Sequence, residues 1–322
     1  MHPLMAARHT KHIALFPTAR AIPEALQIGR ADLISEIEAM VLNGTSVLLL
    51  EERRIGKSSV GTAVIERIRA GSEGALGINL DLRYASRNSA ALAREMLVQA
   101  RSQGADRQVE LLLNRNRLSR AGRELRGILG EVGKVFGEED EAKIVGVLLN
   151  ELTNTTQDSI GAALTAIDGY ARVRQRRVVV FFDEIQEVVK WPDSSEVQRA
   201  IAGTETRPGS RITYIFAGSE KTAIRELFLP EGELEFVGQR VEMPVIPIEE
   251  WQRGLDPRFR EAGLVIDPAE IAQIYIATNG HPLRTMSVCA QALRIVPGDE
   301  VTEAVVRQAI QAAKDHPSWR ES

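Results

Sequence analysis

The chain has 322 residues, 44% of them hydrophobic and 26% charged, and a formal net charge of −4. That is the composition of a globular protein of roughly two domains, without the basic surplus of a dedicated nucleic-acid binder. The single cysteine, Cys289, excludes an internal disulfide and lies in an apolar helical stretch where a buried, inert thiol is expected. No apolar run approaches the length of a membrane span, no signal-peptide core opens the chain, and the five scattered histidines form no zinc spacing. A cytoplasmic location with no membrane partner is expected.

Residues 1 to 25 carry His2, His9, His12, Pro3, Pro17 and Pro23 without periodicity and read as an irregular lead-in on the domain surface. Gln27-Ile28-Gly29-Arg30 follows, then a helix with Leu33, Ile34, Ile37 and Val41 on one face and Gly44 as its stop. Ser46 to Leu50 is uncharged and ends at a charged turn, which predicts a buried strand of a parallel sheet. The turn continues as EERRIGKSS. In the phosphate-binding pattern G-x-x-x-x-G-K-[ST], main-chain N–H groups wrap the phosphates, the lysine reaches the terminal ones, and the hydroxyl sits on Mg²⁺. Lys57 and Ser58 fit the last two roles, and the helix they open would turn its positive end to the anion. Val60, Val64 and Ile68 give that helix an apolar stripe. Glu51 stands where the pattern has its first glycine, adding bulk and like charge beside the phosphates. The competing reading is a basic strand-to-helix turn with no ligand.

Gly71 and Gly74 mark a turn, Ala75 to Leu82 a second strand, and Ser89 to Gln103 a further helix. Strand, helix, strand, helix predicts a parallel sheet with right-handed crossovers. Residues 104 to about 171 interrupt this with helical segments, including arginines 115, 117, 120, 123 and 126 and the acidic run Glu138-Glu139-Asp140-Glu141. Such a basic face could touch DNA. It lacks aromatic residues for base stacking, so a solvated face paired with the nearby acids is preferred.

Val178 to Phe182 is an uninterrupted apolar run ending in Asp183-Glu184. Ligands of open α/β sheets bind beyond the carboxyl ends of the strands, so these acids suit the metal role (Asp183) and the general-base role (Glu184). Alternatively, Asp183 is a helix N-cap after a core strand. Ile212 to Ala217 is another buried strand; Ser219 beyond it could contact phosphate or water, or cap a helix from Glu220 to Leu227. Arg240 to Ile246 reads as the last strand. From Pro247 onward only helices are expected: one after Asp267-Pro268 burying Ile271, Ile274 and Tyr275, one after Asn279-Gly280-His281-Pro282 with Leu283, Met286 and Leu293 on one side, and one from about Val301 to Ala313.

Together, Ile28-Gly29-Arg30, RRIGKSS, VVVFFDEIQE, IFAGSE and NGHPLR resemble the AAA+/STAND class of P-loop ATPases, most closely the archaeal-type ATPase family, over nearly the whole chain. The resemblance implies an α/β fold with a five-stranded parallel sheet in the order 5-1-4-3-2, a helical insertion and a small all-α lid, binding ATP or ADP with Mg²⁺. It implies a lead-in at 1–25, an ATPase domain at 26–246 and a lid at 247–322. Ile28, Gly29 and Arg30 would line the adenine pocket, with His281 and Pro282 of the lid near the base. Arg53, Arg54, Ile55, Gly56, Lys57, Ser58 and Ser59 would hold the phosphates, with Ser58 and Asp183 on the metal. The catalytic set would be Glu184 and Lys57 with Ser219 as first sensor, Arg284 as second sensor and Arg240 as a finger toward a neighbouring subunit. His281 and Arg284 also have a plain reading as loop and surface residues. No output module is expected after the lid. The resulting expectation is an ATP-hydrolysing switch acting on a protein partner or a second copy of itself. Alternatives are a nucleotide-binding scaffold with little turnover, because of Glu51, and a nucleic-acid-handling ATPase using the Arg115 to Arg126 face and Arg172 to Arg177.

Overall fold

The computed structural model describes residues 15–18, 21–71, 75–84, 88–103, 159–219, 227–228, 232–235, 237–316 and 319. The Arg115 to Arg126 face, the Glu138 to Glu141 run, most of the expected insertion and the start of the helix expected at Glu220 lie outside them. The chain divides into two compact units, one made of Met1–Glu36, Glu51–Ala63 and Glu242–Ser322, the other of Ile37–Leu50 and Val64–Val241. Among the described residues no helix is long and apolar enough to cross a membrane.

Two helices belong to the apolar stripes read from the sequence. α1 (Ala31–Leu42) buries Leu33, Ile34, Ile37 and Val41, and Gly44 ends it at φ +94°. After β1 (Val47–Leu50), α2 (Lys57–Ala70) buries Val60, Val64 and Ile68. The second unit continues with β2 (Ala75–Asp81), α3 (Ser89–Ser102), α4 (Ser159–Val173), β3 (Arg177–Asp183), α5 (Ser194–Glu205), β4 (Ile212–Gly218) and β5 (Gln239–Arg240). Its parallel sheet runs β2-β3-β4-β1-β5, the expected order read from the opposite edge. Alternate residues of β3 point to opposite faces, yet Val178 to Phe182 are all fully buried, so both faces of the sheet are covered. On one face Phe182 stacks between Tyr214 and Phe216, with centroids 5.9 and 5.7 Å away, over a core shared with α3 and α4.

The last strand is shorter than expected. Gln239 and Arg240 pair with Val47 and Leu48, and Val241 N–H reaches Leu48 O at 3.0 Å, after which 242–247 form no ladder. Pro244 and Pro247 have no N–H to give, and β1 ends only two residues beyond its last paired residue.

β2 is an edge strand, and side chains close it. Gln99 accepts from Asn79 N–H (2.8 Å) and donates to Asn79 O (2.6 Å); Gln103 does the same for Gly77 at 2.9 and 2.6 Å. One helical turn apart, the two amides stand where a neighbouring strand would supply its groups. Arg69 Nε adds a 3.0 Å bond to Gly77 O. Edge strands recruit other strands unless blunted. Replacing Gln99 and Gln103 with alanine is expected to cost about 2–4 kcal/mol in denaturant unfolding, at about 1 kcal/mol per lost bond, and to promote self-association. A double variant with wild-type stability and size by light scattering would show that the amides guard nothing.

The first unit holds a separate core. α6 (Ile248–Glu261), β6 (Val265–Ile266), α7 (Pro268–Thr278), α8 (Pro282–Ile295), β7 (Glu300–Val301) and α9 (Glu303–Asp315) surround Trp251, Leu255, Phe259, Ile274, Val288, Cys289 and Val306. The expectation of helices only is corrected by β6 and β7, which pair in parallel through Val265–Glu300 and Ile266–Val301. The face of α8 also differs: Thr285, Met286, Val288, Cys289 and Ala292 are buried, while Leu283 and Leu293 are half-buried. The lead-in is not merely superficial. Phe16 is buried against Phe259 with centroids 4.8 Å apart, and the buried Arg258 donates to Leu15 O (3.1 Å) and Leu26 O. Burial drives the Cys289 thiol upward, as expected of an inert cysteine.

Candidate functional site

The phosphate-loop candidates lie in the first unit. The loop from Glu51 to Gly56 turns through two left-handed residues, Arg54 at φ +64° and Gly56 at φ +106°. Glu51 is not one of them, so its backbone does not need a glycine's freedom; what it adds is a carboxylate and bulk. Lys57 is buried, and its ammonium donates to the main-chain oxygens of Glu51 (2.7 Å) and Glu52. Ser58 is half-buried at the first turn of α2, the end of a helix at which anions are favoured. Arg53 and Arg54 are exposed, and Ile55 is half-buried. Ser59 is engaged elsewhere: its hydroxyl accepts from Ile22 N–H at 3.1 Å and its carbonyl from Gln27 Nε2 at 2.9 Å, tying α2 to the lead-in.

The residues expected near the base also converge within this unit. Gly29, at φ +62°, approaches so closely that a Cβ would stand 2.6 Å from Ile246 Cγ2. Gly280, also at φ +62°, would place a Cβ 3.2 Å from Ile246 O and from Val245 Cγ1. Both glycines are therefore needed for conformation and for clearance. Val245 remains 54% exposed beside them, an apolar side chain open to solvent that the sequence reading did not single out. Ile28 is buried against Gly254.

Arg30 is buried, donates to Pro244 O (2.7 Å) and Ile55 O (3.5 Å), and leaves Nε without a partner. Burial lowers its pKa to about 10, still high enough to keep it charged at neutral pH. It thus links the loop from Glu51 to Gly56 to the segment after β5.

His281 caps α8 by accepting from Arg284 N–H at 3.5 Å, with Pro282 in the first helical turn. Burial and then the Arg284 charge lower its pKa, while the Arg53 main chain and Glu52 act in the opposite sense. The Arg284 guanidinium lies 5.5 Å from the centre of the Trp319 ring.

The acidic candidates lie in the second unit. In the sheet register, Leu50 at the end of β1 is opposite Gly218, and Ala217 is opposite Asp183. The chain therefore leaves β1 for the Lys57 loop at the carboxyl edge that carries Asp183, Glu184 and Ser219. Asp183 is buried, and its carboxylate accepts the Glu184 N–H at 3.1 Å. Glu184 adopts a left-handed conformation, φ 57° and ψ 48°, which costs about 1–3 kcal/mol in a residue with a Cβ. Its carboxylate accepts from Ser219 Oγ at 3.3 Å and from Gln186 Nε2. The alternative of Asp183 as a side-chain N-cap is not what the structure has: Glu184 stands at the cap of the short 3-10 helix Ile185–Lys190, without a side-chain capping bond. Arg240 is exposed, with a 3.5 Å bond to Leu50 O.

Sequence reasoning missed Arg83 and Asp81. Asp81 ends β2 directly opposite Asp183. Arg83 donates to Asp81 at 2.7 Å and stands 3.8 Å from Asp183 and 3.7 Å from Glu184. The Asp81 hydrogen bond is the main influence holding the Arg83 charge above its ordinary pKa, followed by opposing burial and the surrounding carboxylates. For Asp81 a signal was available, since ALGINLD reads as a neighbouring strand that ends in an acid; nothing in the spacing marked Arg83.

Among the described residues no group of three His, Cys, Asp or Glu is arranged to hold a metal by itself. Mg²⁺ usually takes one or two carboxylates together with phosphate oxygens, and in the second unit the buried Asp183 is a carboxylate of that kind. In the first unit a buried ammonium at a helix start suits a phosphate; in the second, one arginine among three acids suits a divalent cation.

A five-stranded parallel sheet in this order, with helices around it, is the P-loop NTPase fold of the AAA+ type. The chain is similar to a Walker-type ATPase of Pyrococcus abyssi, 18% identical, covering 93% of this chain and 76% of that one at a TM-score of 0.57. It is also similar to the ORC2 protein of Aeropyrum pernix in its ADP form, 14% identical, with 94% and 72% covered and a TM-score of 0.56. The ORC1 protein of the same organism, solved in complex with DNA, gives 12% identity, 94% and 69% coverage and a TM-score of 0.53. No family model and no curated protein sequence matches the chain.

Proposed function

We propose that this chain binds ATP with Mg²⁺ and hydrolyses it. The observation that carries this reading is the register at the carboxyl edge, where the exit toward Lys57 and the acids Asp183 and Glu184 belong to one rim of a sheet with the AAA+ strand order. Lys57 and the N–H groups opening α2 bind phosphate, Ser58 and Asp183 hold Mg²⁺, and the ion supplies charge neutralisation at the phosphates. Glu184, oriented by Ser219 and Gln186, takes a proton from the attacking water. Gly29 and Gly280 bring Ile28, Arg30, His281 and Val245 to the base. In the full reading, core residues 26–246 and lid 247–322 enclose the nucleotide, turnover changes the lid angle, Arg284 senses the terminal phosphate and Arg240 reaches a second subunit. The output is a changed contact with a protein partner or a second copy of the chain. ADP in the ORC2 structure supports a nucleotide in this fold.

The decisive test is steady-state phosphate release from ATP with and without Mg²⁺. Mg²⁺-dependent release supports the proposal; tight binding without release makes the chain a nucleotide-binding scaffold instead. Glu51→Gly separates the two further. Removing a carboxylate near the phosphates is expected to tighten ATP about fivefold, an effect near 1 kcal/mol for one like charge in high dielectric. Calorimetric titration showing weaker ATP binding in that variant would give the glutamate a ligand-holding role.

A further inference from the structure

The amino edge of the sheet, opposite the acids, carries a second charged feature. The turn from α4 into β3 and the turn from α5 into β4 precede adjacent parallel strands, and Val178 N–H bonds Arg211 O between them at 2.9 Å. Together they present Arg172, Arg174, Arg176, Arg177, Arg207 and Arg211, with no acid in either turn. The acids beneath are Asp168, which is buried, and Glu205.

Asp168 builds the platform. Its carboxylate accepts from Arg172 at 2.9 Å and from the Arg211 N–H at 2.7 Å, and lies 3.8 Å from Arg207. Arg172 also reaches Pro208 O across the turns at 3.4 Å. One carboxylate thus fixes both turns and is used up in doing so. Arg174 and Arg176 have no side-chain partner among the described residues, and Arg174 is exposed. Arg177 and Arg211 stand near enough that Arg211 helps lower the Arg177 pKa, after burial. Like charges gathered on a fixed base, with their countercharge below the surface, form a site short of an anion.

We propose that this edge binds the phosphate backbone of a nucleic-acid duplex. Guanidinium forks match phosphate geometry, and several side by side fit a polymer of regularly spaced anions better than one small ion. Neither turn contains an aromatic residue, so bases are not stacked and binding is independent of sequence. Leu42, the last residue of α1, is the sizeable exposed apolar residue near this edge among the described residues, which gives a lipid surface little to bury. The site is independent of the nucleotide reading.

The test is fluorescence anisotropy of a labelled DNA duplex of about 20 base pairs, titrated from about 50 mM salt upward. Wild type should bind with a salt slope of several units. Arg174→Gln with Arg176→Gln should bind more weakly and lower the slope by about two, at roughly 0.9 per phosphate contact. Its ATP binding should match wild type and its unfolding midpoint should stay close to it, since neither side chain makes a hydrogen bond or ion pair among the described residues. A charge reversal, Arg174→Glu, should weaken binding further. No duplex binding by wild type, an unchanged slope in the double variant, or binding to anionic vesicles in place of DNA would overturn the proposal.

Discussion

Glu184→Gln is expected to reduce phosphate release by about 10²–10⁴-fold, the usual worth of a positioned general base, while ATP stays bound. The substitution keeps size and leaves an oxygen to accept from Ser219, now 3.3 Å from the carboxylate, so the loop geometry should persist. What disappears is basicity, together with an ion pair to Arg83 at 3.7 Å. That pair involves a half-exposed guanidinium and is worth at most about 1 kcal/mol, too little to explain a hundredfold loss through stability. Single-turnover assays with retained nucleotide separate the outcomes. Wild-type turnover in the variant would move the base to another group, Asp183 being the nearest carboxylate in sequence. The left-handed backbone at Glu184 points the same way, because strain at a residue with a Cβ is kept where the side-chain direction matters.

The sheet was legible because its strands are uninterrupted apolar runs bounded by charged or glycine turns: Val47–Leu50, Arg177–Asp183 and Ile212–Gly218 all fall where the sequence put them. Strand order was not contained in those runs. It came from the resemblance and is met by the observed pairing. The β6–β7 pair escaped because two residues carry no periodicity, and Val265 is exposed rather than part of an apolar run. β5 was overextended because Arg240 to Ile246 alternates acceptably while Pro244 removes a ladder donor. At the site, Lys57, Asp183 and Glu184 could be named from spacing, whereas Arg83 could not. An arginine two residues past a strand reads as a surface charge until the register sets Asp81 against Asp183. The roles of Arg30 and Ser59 illustrate the same boundary: both lie in motifs that suggest ligand contact, yet Arg30 bonds main-chain oxygens and Ser59 bonds the Ile22 main chain and the Gln27 side-chain amide, all within their own unit.

Lys57→Ala is expected to abolish the stabilisation that ATP confers. Truncating one partner of a buried charge pair costs about 2–5 kcal/mol, or roughly 30-fold to several thousand-fold in Kd. The ammonium bonds the carbonyls of Glu51 and Glu52, so it also holds the loop's shape. Alanine should therefore lower unfolding stability without nucleotide by about 1–3 kcal/mol as well, the penalty for carbonyls left unpaired. The two effects are read separately by thermal unfolding across an ATP series. Wild type at 100 times its Kd should gain about 2.7 kcal/mol, whereas the variant at the same concentration should gain little from a lower starting point. A variant that begins less stable but rises with ATP as wild type does would make Lys57 a brace for the loop, with phosphate held by other groups. Equal starting stability and a lost ATP response would show that the carbonyl bonds contribute little and that the ammonium acts on the ligand alone. The expected combination requires one group to leave two main-chain oxygens for a phosphate, making ATP binding and loop rearrangement a single event.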